Sequence, residues 1–268
     1  MADVAQAACR PVHIQGLDAL QLSLPNGDCA TVALHGAHVL SWVSGGAERL
    51  YLSPLATLDG SAAIRGGVPV CFPQFNQRGG LVKHGFARLL AWTADEPSIE
   101  SDRARLTLRL RASERTRSQW PHEFEATLTV ELSAGCLALT LGVHNTGKQA
   151  FAFTGALHSY FRVLDIHVAH LDGLAEPLHI HGEHDRVYAA ASRPLRLSGG
   201  PSPLRIEQSP EWAHTVVWNP GPMLSAAMAD LPDDGFRHTL CVEAAQVFDP
   251  ITLSPGASWQ ASQTCTVT

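Results

Sequence analysis

Between residues 103 and 145 apolar side chains recur at every second position, and this period restricts the chain more than any other feature. Leu106, Leu108 and Leu110 share one face, as do Phe124, Ala126, Leu128, Val130 and Leu132, and then Leu137, Leu139, Leu141 and Val143. Successive side chains of a strand point to opposite sides, so these are strands with one buried face. Ser133–Gly135 makes a tight connection between the second and third, giving an antiparallel hairpin. Nearer the start, Leu20, Leu22 and Leu24 alternate before Asn26-Gly27, a good turn pair, and Val32 and Leu34 alternate after it. "AHVLSWV" reads as a further strand. The best helical candidate is "SERTRSQW" at 113–120, with Ser113 as N-cap, and strands do not alternate with helices as a parallel sheet requires. The class is all-β, with antiparallel sheets packed face to face.

Of 268 residues, 45% are hydrophobic and 16% charged, enough apolar material for a sizeable core. A single domain spanning 1–268 is expected. The Pro/Gly clusters at 193–203 and 219–222 read as long loops within it, because apolar strand-like segments resume after each. Nineteen basic against 25 acidic residues leave a net charge of −6, with no footprint for nucleic acid or an anionic membrane, so any bound anion needs a local positive pocket. The N-terminus lacks a secretory pattern and no run approaches the ~18 apolar residues of a membrane span. A cytoplasmic monomer is expected. The six cysteines are scattered without a C-x-x-C pair and read as reduced, mostly buried small hydrophobes.

The stretch "IRGGVPVCFPQFNQRGGLVKHGFAR", 64–88, is too rich in Gly and Pro for a helix and too interrupted for a long strand, yet holds Arg65 near one end and Arg88 at the other. A guanidinium among apolar residues needs an anionic partner. Two readings stand level here: each arginine pairs with an internal carboxylate, or both await a ligand such as a phosphate, with the paired glycines letting backbone approach it. "HIHGEHD", with His179, His181, Glu183 and His184, invites a metal reading, but no second strand motif completes the ligand set, and a solvated loop is the expected reading. His158 in "TGALHSYFRV" is a core histidine or a functional one. Glu243 in "TLCVEAAQVF" is an edge acid facing water, or a buried carboxylate whose pKa rises into the range of a general base. No G-x-S-x-G elbow, P-loop or dinucleotide fingerprint occurs.

Taken in order, "AIRGGVPVCFPQF", "HGFAR" followed by a Trp, "WPHEF", "ALHSYF", "DRVY", "VVWNPGP", "LPDDGF", "CVE" and "LSPGASW" resemble the D-hexose-6-phosphate mutarotases, a branch of the aldose 1-epimerase family. The likeness runs from about Gly36 to Trp259. It implies a galactose-mutarotase-like β-supersandwich and the interconversion of α and β anomers of hexose 6-phosphates without a cofactor or metal. It implies His158 as general acid and Glu243 as general base, Arg65 and Arg88 as ligands of the phosphorylated sugar, and His84 and Asp185 as pocket residues. Gln74 stands where many relatives carry an aromatic residue, and Lys83 where some carry glutamine; Lys83 either adds a phosphate contact or points into water. A mutarotase of unphosphorylated aldoses and a non-catalytic sugar-phosphate sensor are the rival functions.

Overall fold

Three antiparallel sheets make up the computed structural model, which describes residues 6–176, 178 and 180–268. The first is a meander of Ala8–Ile14, Leu17–Ser23, Cys29–Ala33, His38–Ser44 and Ala47–Glu48. Its turn at Asn26-Gly27 joins strands paired up to Ser23–Cys29, as the alternation predicts. The largest sheet has at its centre Arg103–Arg111, Phe124–Ser133, Cys136–Asn145 and Ser258–Val267. Every apolar residue named above on the first three of these strands is buried, and the register stacks Leu108, Leu128 and Leu141 across the sheet. Each such leucine removed from water contributes roughly 1.5–3 kcal/mol.

The third sheet runs in the order His184–Ala189, His214–Asn219, Thr239–Leu253, Phe151–Leu157, Val70–Cys71, with Tyr160–Arg162 also paired to Thr239–Leu253. Its long central strand is buried on both faces from Thr239 to Val247, because both faces are covered. Leu157, Val217, Val242 and Ala244 point into the main core, where they join Leu106, Leu128, Leu139 and Ala261 of the largest sheet. The opposite face carries Cys71, Ala156, Val216 and Ala245 in a separate small cluster with Phe75. That second face is where the cleft opens.

The helical turn at Glu114–Arg117 is capped as expected, Ser113 Oγ accepting from Thr116 N–H and the Thr116 hydroxyl accepting from Ser113 N–H. Two segments read as loops are otherwise. Leu195–Ser198 is a strand paired with Leu204–Gln208, so Gly199–Pro203 is only the connection of a hairpin; the four-residue strand is too short to show a period among its Pro and Gly neighbours. The Pro220–Pro222 cluster opens a helix, Gly221–Ala227, because proline is tolerated where the N–H has no helical partner. Cys71, Cys241 and Cys265 are buried, the other three half-buried, and all six are free. Among the described residues no helix is long and apolar enough to cross a membrane.

Candidate active site

The register of the third sheet determines which side chains share the cleft. Leu157 pairs with Ala244 and Tyr160 with Cys241, so His158 stands opposite Glu243 although 85 positions separate them in the chain. Glu243 pairs in turn with Val216, and Trp218 with both Cys241 and Asp185. One face of the sheet therefore presents Asp185, Val216, Trp218, Glu243, His158 and Tyr160, and all six line a cleft of about 560 Å³. The segment after Val70–Cys71 folds over this face and adds Phe75, Asn76, Lys83, His84 and Arg88, while Arg65 and Met228 close the wall.

The chain departs from regular pairing at His158. His158 N–H donates to Pro69 C=O and Ser159 N–H folds back to Leu157 C=O, which bends the strand and leaves Val242 C=O without a ladder donor. Gln263, reaching from the largest sheet, takes that carbonyl through Nε2 at 3.0 Å, and its Oε1 accepts from the Ser159 hydroxyl. A buried polar bridge between sheets thus lies behind the pair.

His158 Nε2 is 3.3 Å from Glu243 Oε1, with the imidazole 9% and the carboxyl 1% exposed. Glu243 lies buried on the central strand, so its reading as an edge acid facing water falls. Burial pushes the Glu243 carboxyl well above the usual carboxylate range, and the Asp185 charge adds to it. Burial, then the neighbouring His84, Arg88 and Arg65, hold the imidazole of His158 well below the ordinary histidine value. Both shifts favour the neutral forms, carboxylic acid beside imidazole, over the charged pair. Among the described residues no other residue takes a hydrogen bond from Nδ1 of His158, which has only its own backbone within reach. Its ring is also held by packing: it lies flat against Tyr160 at 4.8 Å, with His84 edge-on at 5.3 Å and Trp218 at 6.2 Å.

His84 is buried, and burial, with Arg88, Lys83 and Arg65 nearby, lowers its pKa to about 3. Its Nδ1 accepts from Asn76 N–H at 3.2 Å and lies 3.2 Å from the Cys71 thiol, whose pKa burial raises. The ring proton is accordingly on Nε2, making His84 a neutral donor. His84 has φ +66, held by its own N–H donating to Asn76 C=O. Gln74 is buried and does not line the cleft; its amide donates to Asn76 and Leu81 carbonyls and accepts from Leu81 N–H, bracing the loop that carries Lys83 and His84.

The two arginines divide between the two readings. Arg65 has an internal carboxylate partner, Asp230, at 3.1 Å, and donates through Nη1 to the Tyr160 hydroxyl. Arg88 donates to Lys83 C=O and keeps a buried Nε without a partner; among the described residues neither it nor Lys83 has a carboxylate. The glycines between them serve a different approach from the one expected. A Cβ on Gly66 would lie 2.3 Å from Tyr51 O and one on Gly67 2.2 Å from Val39 O, so they admit neighbouring backbone rather than a ligand.

Of the residues singled out from the sequence, His158, Glu243, Arg65, His84, Arg88, Asp185 and Lys83 all line this one cleft, Asp185 and Lys83 being exposed at its rim. Tyr160, Trp218 and Asp230 were not singled out, although each lies in or beside a quoted motif, in "ALHSYF", "VVWNPGP" and just ahead of "LPDDGF". His179 lies outside the described residues. His184 begins an edge strand rather than a loop, with Nε2 3.2 Å from the Tyr188 hydroxyl, and no cluster of three His, Cys, Asp or Glu that would hold a metal occurs among the described residues.

Residues 18–179 match the family model described as aldose 1-epimerase. A protein of Cenchrus ciliaris, provisionally named glucose-6-phosphate 1-epimerase, is 35% identical over 273 residues, covering 91% of this chain and 83% of its own. A protein of Escherichia coli K12 with the same provisional name is 36% identical, covering 81% and 79%. The crystal structure of a Salmonella typhimurium protein, provisionally described as a mutarotase, superposes with a TM-score of 0.89 at 30% identity, over 99% of this chain and 96% of that one. A galactose mutarotase-like protein of Clostridium acetobutylicum shares the fold at 16% identity and a TM-score of 0.76, over 98% of each chain. The β-supersandwich, the relatives and the family match agree: this chain belongs to the aldose 1-epimerase family.

Proposed function

We propose that this protein interconverts the α and β anomers of D-hexose 6-phosphates by acid–base opening and closing of the sugar ring. The observation that carries the reading is the 3.3 Å contact of His158 with Glu243 on the floor of a cleft whose rim holds Lys83 and Arg88. Ring opening moves two protons at neighbouring oxygens, the anomeric hydroxyl and the ring oxygen, which share one carbon. An acid and a base in contact with each other can reach both at once.

In the charged form of the pair, Glu243 takes the anomeric hydroxyl proton while His158 donates to the ring oxygen as the C1–O5 bond breaks. The C1 carbonyl forms, and Glu243 is left protonated beside a neutral His158, the distribution that burial favours. After rotation about C1–C2 the aldehyde presents its other face, and the same two transfers run backward to close the ring. Each group contributes about 10²- to 10⁴-fold. His84 offers its Nε2–H to a sugar oxygen, and Asp185 at the rim accepts from a hydroxyl.

The phosphate does not react. Held by Arg88 and Lys83, it fixes the sugar over the pair, and its negative charge offsets cations that keep the His158 imidazole neutral. The test is NMR magnetisation exchange between the anomers of glucose 6-phosphate: acceleration above buffer is expected, and a rate equal to buffer for every hexose 6-phosphate refutes the reading. Turnover of glucose and galactose as fast as their 6-phosphates would favour the unphosphorylated-sugar activity instead.

A further inference from the structure

The loop that follows Val70–Cys71 is held from behind by one side-chain amide. Gln74 is 4% exposed, and its oxygen and both its N–H groups are bonded to main chain: Oε1 accepts from Leu81 N–H at 3.0 Å, while Nε2 donates to Leu81 C=O at 3.2 Å and to Asn76 C=O at 2.8 Å. Gly79 lets the loop tip settle onto this amide, since a Cβ there would lie 2.3 Å from Gln74 Oε1. The Asn76 carbonyl is shared, for it also accepts from His84 N–H at 3.0 Å. Asn76 returns the contact, its own N–H donating to His84 Nδ1 at 3.2 Å. Both residues sit in the left-handed region, at φ +51 and +66, so this reciprocal pairing is kept against backbone strain.

We infer that Gln74 is a positioning residue for His84: through the main chain of Asn76 it holds the imidazole in the tautomer that presents an N–H to the sugar. The inference rests on the proposed function for what His84 does with that N–H. A neutral imidazole carries one proton, and the hydrogen bond made by one ring nitrogen decides whether the other bears it. Two groups meet His84 Nδ1, and they differ in what they permit. The Cys71 thiol, buried and 3.2 Å away, can donate its S–H or accept at sulfur, so it tolerates either tautomer. The Asn76 N–H can only donate. Of the two, Asn76 is therefore the group that sends the ring proton to Nε2.

Keeping that donor in place falls to Gln74. Phe75 N–H, bonded to the Thr154 hydroxyl at 2.8 Å, ties the base of the loop to the third sheet, so Gln74 starts from a fixed point. Residues 77–80 are all exposed, and burial does little to fix them. Gln74 fastens both ends of this span, Asn76 before it and Leu81 after it. Without the amide, Asn76 C=O keeps His84 N–H, but the Leu81 peptide loses both bonds to the brace. Asn76 is then free to swing its N–H off the ring. The proton can move to Nδ1 with sulfur accepting, which leaves a lone pair where the sugar needs a donor.

The test follows the His84 imidazole by nitrogen NMR in the full chain, its signals assigned by their loss in His84→Gln. The wild type should carry the proton on Nε2 and none on Nδ1. Gln74→Met fills the same space without polar atoms, and Gln74→Glu above neutral pH keeps the acceptor for Leu81 N–H while losing both donors. Each should give a mixture of tautomers, with thermal unfolding recording that the fold persists. The KM for glucose 6-phosphate should rise about 3- to 10-fold, the loss of one neutral hydrogen bond. Affinity for inorganic phosphate, read by calorimetric titration, should fall less, because phosphate alone brings no sugar oxygen to His84. The inference is overturned if wild-type His84 holds its proton on Nδ1, if both variants keep the single Nε2–H form, or if phosphate affinity drops in step with that for glucose 6-phosphate. Failure of the parent reading looks different: the wild-type protein then accelerates no exchange, while the tautomer signal in the sugar-free protein still reports on Gln74.

Discussion

Ser159 and Gln263, from facing sheets, are hydrogen-bonded side chain to side chain directly behind the His158–Glu243 pair. The same Gln263 amide occupies the Val242 carbonyl that the bent strand cannot satisfy. Both residues are buried at 1% exposure, so neither lost bond would be replaced by water. Gln263→Leu should lower the unfolding free energy by about 1–3 kcal/mol, the cost of stranding buried polar groups. It should also lower kcat, because the strand bend that carries His158 loses its brace. Urea denaturation and anomer exchange check the two effects, and an unchanged urea midpoint would contradict the first.

Glu243→Gln keeps the shape of the carboxyl and removes its basicity. Exchange should fall by roughly 10²- to 10⁴-fold, with inorganic phosphate still bound, since the anion contacts lie at the rim. His158→Gln should give a loss of the same order. The two together should cost little more than either alone, because they act on one proton pair. A strictly multiplicative double variant would separate their roles.

Arg88→Met removes a cation without a carboxylate partner. The KM for glucose 6-phosphate should rise about 10- to 100-fold, the range of a charge-assisted hydrogen bond worth roughly 1.5–3 kcal/mol. Any residual turnover of unphosphorylated glucose should be untouched. Steady-state comparison of the two sugars decides it; an equal effect on both would place Arg88 against the ring instead of the phosphate.

Acid should unfold this protein through its buried imidazoles. His38 is fully buried, and its pKa is lowered to about 3, first by burial. In the unfolded chain it titrates near 6.5, so below that value the unfolded state binds a proton that the folded state refuses. Stability is therefore intact above pH 6.5 and is lost as pH falls from 6.5 toward 3, at up to about 1.4 kcal/mol per pH unit for this residue. His38 Nε2 lies 2.7 Å from Gly66 C=O, a bond that glutamine can reproduce as a donor. His38→Gln should flatten the slope of stability between pH 6 and 4.5, read by chemical denaturation at several pH values. An unchanged slope would show that His38 does not carry the proton linkage.

The strands were legible because burial of one face imposes a two-residue period, and Phe124–Ser133 and Cys136–Asn145 show it without interruption. Leu195–Ser198 was not, since four residues among Pro and Gly cannot establish a period. The cleft residues were found by their improbability in place, a carboxylate in an apolar strand and arginines in a Gly/Pro-rich loop, and by the order of motifs. Their mutual positions were beyond local pattern: the pairing of 158 with 243 is a property of sheet register, and the 165-residue separation of Arg65 from Asp230 leaves no local trace. For that reason the carboxylate that occupies Arg65 could not be anticipated. Gln74, which stands where many relatives carry an aromatic residue, likewise has a role visible only in three dimensions: it braces the loop from behind.

Because His158 and Glu243 face one another across adjacent strands, their spacing is secured by main-chain geometry, while the cations Lys83 and Arg88 ride on the separate 75–88 segment. That segment meets the reacting pair through His84, packed edge-on against the His158 ring, and through the charge of Arg88. Swapping it between homologues with His84 and Arg88 kept should retune which sugar is admitted while sparing the proton-moving pair beneath it.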